Sequence, residues 1–471
     1  MRHAVSAAKD GRFISTGAIK EELRRSRQAF RRGSQCTGLD YHRYLMPHRT
    51  LVPILLMLAA GIYPAWAESP GKRADLSRLV VIGDSLSAGF QNGSLLHRQQ
   101  AHGYAAIVAR QSGAQVPLPL IADPGIPNVL TLMDPGPPPV IIREPGISPG
   151  RLDPTVQVTN LAVPGANVED ALTTRPDCLF DDLTDLILGL PEPCLFGGVA
   201  RSQVEWAEAL APTSLLVWLG SNDTLGAAIS ADASLVTPLD DFKVAYAEVM
   251  DRLAATGAKL VVANIPDVTA IPFLIPAEEV AAFTGLPLSL LESILGIGPG
   301  DFVTPDAFDC TATVQCIPNI LFGISAGPLP SDVVLDAGEV AVIRLATEAF
   351  NTFIAQEASQ KGAALVDIHS LLNSVEAKGV VVGGQRLTTA FLGGVFSLDG
   401  VHPTNTGYAL IAKEFIKALY TEFAAGIPPV SLERILQADP LVLPGVGHPA
   451  SAHDHVTAET AQSLRELVVH E

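Results

Sequence analysis

Aromatic side chains are scarce in this chain, at 6% of 471 residues, with three tryptophans in all. Beyond residue 67 only Trp206 and Trp218 remain, and Trp218 lies in an apolar run that reads as a buried strand. Sugar sites usually need stacking rings, so this scarcity counts against them. Charged residues are also few, at 17% against 48% hydrophobic. That balance excludes disorder throughout and allows a large core, in one large domain with insertions or in two domains. Basic residues are concentrated at the front. Residues 1–50 carry 11 Lys/Arg against 4 Asp/Glu, and the rest carries 20 against 45, a net of -25. An acidic body argues against nucleic acid and anionic membrane surfaces as partners. No glycine-rich phosphate loop, dinucleotide fingerprint or internal repeat occurs, so no cofactor is expected.

Cysteine is rare, with five residues. Cys36 stands apart; the others form two close pairs, Cys178 with Cys194 and Cys310 with Cys316. Two local disulfides are the expectation for an exported body, with free thiols as the alternative. Neither pair has C-x-x-C spacing and no histidine is near, which disfavours a metal.

The apolar run 51–60 is short for a bilayer span, follows His48 and Arg49, and precedes the A-x-A site Ala65-Trp66-Ala67. It reads as a secretory signal peptide cleaved after Ala67, with an uncleaved anchor as the alternative. The product would be secreted or periplasmic. Met46 competes with Met1 as the start. We divide the chain into residues 1–67, a main domain 68–425 and a tail 426–471.

Apolar runs at 79–82, 156–162, 214–219, 259–264 and 364–368 read as buried strands. Helical spacing marks 240–256, 337–360 and 405–424, and a short helix is read at 456–468. Strands alternating with helices imply a parallel sheet covered on both faces. Two segments interrupt the alternation. Residues 117–154 are dense in proline and glycine and read as a long ordered loop. Residues 268–335 are strongly apolar and read either as a lid or as an extra buried helical layer.

The chemistry gathers in short motifs. Ser85, in Gly83-Asp84-Ser85-Leu86-Ser87, directly follows a strand, where open α/β sheets bind ligands. Asp399 stands three residues before His402 in Asp399-Gly400-Val401-His402-Pro403-Thr404, able to hold the imidazole while it takes a serine proton. Gly165 and Asn222 each follow a strand and could aim an N–H at an oxyanion; alone, each could be a turn residue. Ser148 matches G-x-S-x-G, but Pro149 denies that elbow its N–H. His369 is a weak competitor of His402. His448, His453 and His455 with Asp454 read as a solvated tail rather than a metal site. Asn92-Gly93-Ser94 is a glycosylation sequon, as is Asn222-Asp223-Thr224, where a glycan is disfavoured. Asn264-Ile265-Pro266-Asp267 follows the fourth strand and is read as a further stretch of cleft lining.

These stretches resemble the conserved blocks of the SGNH hydrolases, the GDSL esterase/lipase family, in that family's order. The resemblance implies a three-layer α/β/α sandwich with a five-stranded parallel sheet, flavodoxin-like, here with large insertions at 117–154 and 268–335. It implies Ser85 as nucleophile, Asp399 and His402 as its partners, and Ser85, Gly165 and Asn222 as the oxyanion hole, without metal or cofactor. The insertions fall outside what the family explains. The reading is a secreted serine hydrolase, an esterase or lipase, acting as a monomer on small-molecule or lipid esters. A carbohydrate acetylesterase and a non-catalytic binding protein on a hydrolase scaffold are the alternatives.

Overall fold

The computed structural model describes residues 73–136, 139–442 and 456–469. The signal segment, Met46, Cys36 and the His448–His455 cluster lie outside them. No helix among the described residues is long and apolar enough to cross a membrane.

Four parallel strands form the central sheet: β1 (Leu79–Gly83), β2 (Ser214–Trp218), β3 (Lys259–Ala263) and β4 (Ala364–Val366), side by side in that order. Their valines, isoleucines and leucines alternate between two cores. Val80, Ile82, Leu215, Val217 and Val262 face one side, packed on Phe242, Tyr246, Phe350 and Ile354. Val81, Leu216, Trp218 and Val261 face the other, packed on Tyr104, Tyr408 and Phe415. Burial on both faces explains why β1, β2 and β3 read as apolar runs, whereas Leu365 of β4, at the end of the sheet, is exposed.

The run at 156–162 differs. It lies beside β1 as a fifth member, with a parallel bridge between Val81 and Asn160 but no regular strand. Val81 N–H donates to Thr159 O at 2.8 Å and Leu161 N–H to Val81 O at 2.9 Å. The Asn160 amide donates to Ser87 O and its oxygen accepts from Ala162 N–H. Such side-chain bonds compete with a ladder and divert the backbone.

The helices used below are α1 (Ser85–Ala88), α2 (Tyr104–Ser112), α3 (Gln203–Leu210), α4 (Asn222–Ile229), α5 (Leu239–Ala255), α6 (Ala337–Lys361), α7 (Asn405–Phe423) and α8 (Ala458–Val468). The first core lies under α3, α5 and α6, and the second under α2 and α7. The result is a three-layer α/β/α sandwich.

The segment 117–154 is more than a loop. Leu130–Asp134 pairs antiparallel with Val140–Arg143. Within 268–335, three two-residue strands form a small antiparallel sheet, and a separate apolar core gathers Ile275, Val280, Leu291, Leu295, Val303 and Ile317. Ile271, Phe273 and Leu274 instead join the main core. Cys178 is bonded to Cys194 and Cys310 to Cys316.

Candidate active site

Ser85 opens α1 at the end of β1. Asp84 caps that turn, its Oδ1 accepting from Leu86 N–H at 3.0 Å. Gly83 is required there. A Cβ on it would lie 2.2 Å from Ser87 Oγ and 2.6 Å from Trp218 O. The strand therefore ends against its neighbour with no room for a side chain.

His402 meets Ser85 from the far end of the sequence. Its Nε2 lies 2.8 Å from Ser85 Oγ. Its Nδ1 lies 3.1 Å from Asp399 Oδ2. With Nδ1–H donating to the carboxylate, Nε2 is left to accept the serine proton. Asp399 Oδ1 also accepts the N–H of Val401 at 2.9 Å and of His402 at 2.8 Å. Burial alone would push the Asp399 carboxyl up. The adjacent imidazole, His402's ring and backbone hydrogen bonds and the Gly93 N–H together outweigh that and hold it below the usual carboxylate range. Asp399 thus stays ionised where it orients the ring.

Three residues that sequence reasoning passed over complete this corner. Gly93 N–H donates to Asp399 Oδ2 at 2.7 Å. Asn92 Oδ1 accepts from Leu398 N–H at 3.1 Å, and its own N–H donates to Ser397 Oγ at 2.9 Å. Asn92 is buried, so its sequon is committed to packing. Phe90 lies against the imidazole, ring centroids 4.7 Å apart. The sequon singles out Asn92 and Gly93 for another reason, and no local pattern marks any of the three as part of the site.

Asn222 begins α4 after β2 and lines the same cleft as Ser85 and His402. Its Nδ2 donates one hydrogen to Ala166 O at 2.8 Å, which leaves the second free, and its Oδ1 is buried without a partner. Ala166 adjoins Gly165, so this bond ties Asn222 to the glycine turn. Gly165 has φ +87°, the left-handed region that glycine enters without strain. Asp223 accepts from Val168 N–H at 3.1 Å behind the site. Complete burial raises the carboxyls of Asp84 and Asp223 to about 7 each.

The other candidates lie elsewhere. Ser148 is buried and donates to Ala122 O. His369 turns Nδ1 toward Ile265 O at 3.1 Å, and Asn264 is spent on Asp367 and His369 N–H. Of that stretch, Pro266 lines the cleft. Trp206 and Trp218 are both buried. The cleft is apolar, walled by Trp218, Leu225, Val268, Ile271, Phe396 and Val401, with a volume of about 40 Å³.

A serine at a parallel-sheet edge, joined to a histidine and a buried carboxylate, defines a hydrolase-type α/β site. The chain matches the GDSL-like lipase/acylhydrolase family model over residues 79–415, and it belongs to that family. Among solved structures, it is similar to an alpha/beta hydrolase enzyme from the metagenome of Lake Arreo, Spain, at 14% identity, covering 74% of this chain and 96% of that one, with a TM-score of 0.33. It is also similar to an acetylxylan esterase from Geobacillus stearothermophilus, at 13% identity, 75% and 98% coverage and a TM-score of 0.33. A third is TesA, at 14% identity, 72% and 97% coverage and a TM-score of 0.30. No curated protein matches the chain at a significant level.

Proposed function

We propose that this protein is a serine hydrolase that cleaves carboxylic esters of acyl-chain substrates through an acyl-enzyme on Ser85. The observation that carries the reading is the Ser85 Oγ to His402 Nε2 contact of 2.8 Å, continued to Asp399. His402 takes the serine proton as Oγ attacks the ester carbonyl. The tetrahedral oxyanion accepts hydrogen bonds from Ser85 N–H, Gly165 N–H and the free Asn222 amide hydrogen. Collapse expels the alcohol, which takes the proton from His402. Water then attacks the acyl-enzyme with His402 again as base, and Ser85 leaves reprotonated.

The apolar lining of the cleft favours an acyl group over a sugar. The narrowness of the cleft favours a second reading, an esterase confined to acetyl groups, sugar acetates included. Two disulfides support export as a secreted or periplasmic protein. Within this reading 68–425 is the hydrolase domain and 268–335 a wall of its cleft.

The test is hydrolysis of p-nitrophenyl esters from acetate to palmitate by residues 68–471, with Ser85→Ala alongside. Activity lost in the variant and rising with chain length supports the proposal. Activity on acetate alone moves the assignment to deacetylation. A folded wild type inactive on every ester would sink both.

A further inference from the structure

We propose that α8, with Val456 before it and Val469 after it, is a strap that must lift before a substrate reaches Ser85. The inference rests on the serine-hydrolase reading above.

The catalytic corner is shut. Ser85 is 3% exposed, His402 1% and Asn222 7%. The cleft beside Ser85 and His402 is narrow, at about 40 Å³. The strap lies on three glycines that border the candidate site. A Cβ on Gly165 would sit 1.9 Å from Leu467 O. One on Gly226, in α4 four residues beyond Asn222, would meet Val469 Cγ2 at 3.4 Å. One on Gly400, between Asp399 and His402, would sit 2.5 Å from Val456 Cγ2. The strap therefore spans from the Asp399–His402 loop to the oxyanion turn.

Its electrostatics oppose reaction when closed. The last carbonyls of a helix lack intrahelical partners and carry the negative end of its dipole. Leu467 O, in that last turn, is pressed on Gly165, where the oxyanion needs donors.

The strap is latched by both insertions. Arg465 makes two bonds to Asp306, at 2.8 and 2.9 Å, and reaches Ile229 O at 3.3 Å. Arg143, in the hairpin of 117–154, holds Glu459 at 3.1 Å and Ser463 Oγ at 3.3 Å. These ion pairs are partly exposed, so salt weakens them. Ala461, Leu464 and Val468 bury the inner face in the main core. A short helix held by a small apolar face and two surface latches has the makings of a two-position element.

The experiment is the rate at which a fluorophosphonate probe labels Ser85 in the full chain, in wild type, Asp306→Ala and Arg465→Ala, at low and high NaCl. None of these substitutions touches the catalytic machinery. Both variants should label about two- to fivefold faster than wild type at low salt, and salt should close the gap by speeding the wild type. Equal rates in all three, or slower labelling with unchanged melting temperature, would make the strap a fixed wall and overturn the proposal. No labelling in any of them would instead defeat the serine-hydrolase reading. If the variants do not fold, the double variant Gly226→Cys/Val469→Cys decides. Its oxidised form should label more slowly than its reduced form, with wild type under the same reductant controlling for the native disulfides. Equal rates there overturn the strap.

Discussion

Gly93 and Asp399 are 306 residues apart in sequence, and the N–H of one donates to Oδ2 of the other at 2.7 Å. That oxygen is also the one facing His402 Nδ1. The residues after Ser85 therefore hold the carboxylate that orients the histidine, and the two ends of the site are fixed by one loop.

Asn92 supports that loop by accepting from Leu398 N–H. Replacing it with alanine strands a buried donor, which costs about 1–3 kcal/mol. We expect Asn92→Ala to lower stability by that amount in urea unfolding and to reduce kcat more than it raises KM. Asn92→Asp, which keeps the acceptor, should recover part of the loss.

Asn222 is expected to contribute through its side chain in the transition state. Asn222→Ala should reduce kcat by about 10²–10³-fold with little change in KM. Steady-state kinetics on a soluble ester measure it. A change of only two- or threefold would remove Asn222 from the oxyanion hole.

Phe90 packs its ring on the imidazole and is 1% exposed. Phe90→Ala should cost about 3–5 kcal/mol of stability by leaving a cavity. Phe90→Leu should cost less and still lower kcat, since a branched aliphatic chain does not present a flat face to His402. Melting temperature and kcat, measured together on both variants, check this.

Asp223 gives a pH signature. Burial raises its carboxyl to about 7, above its ordinary 3.8. A folded state that holds its proton more tightly is favoured at low pH, and that contribution is lost as pH rises from about 4 through about 7. Asp399, shifted the opposite way, contributes stability that is lost as pH falls. Asp223→Asn removes the first effect alone. The stability of this variant relative to wild type should therefore rise between pH 4 and pH 8 in urea unfolding series, then level off. A constant difference across that range would contradict the assignment.

Much of the candidate site's geometry was legible because its residues sit in short contiguous stretches next to strands. Ser85 follows Val80-Val81-Ile82, and Asp399 stands three residues from His402. The first three regular strands were legible because burial on both faces makes each an apolar run, and the edge strand Ala364–Val366 was legible from its composition although Leu365 is exposed. Asn160 was not legible as an interruption, since its effect depends on reaching Ser87 O. The hairpin within 117–154 was hidden by the prolines around it, although Leu130-Thr131-Leu132 and Val140-Ile141-Ile142 carry strand residues. Asn92, Gly93 and Phe90 were missed because their partners lie some 300 residues away. Position in sequence says nothing about such contacts until topology brings them together.

The 317-residue separation between Ser85 and His402 has a consequence for synthesis. A chain made from its amino end carries Ser85 through most of translation with no base to activate it. In the proposed mechanism, Ser85 stays dormant until the loop at 397–402 returns to the start of the sheet. Contacts of such range form late, because the intervening chain must be ordered first. Recovery of probe labelling during refolding would therefore lag behind recovery of helical signal, and turnover would serve as a stringent report that the whole fold had closed.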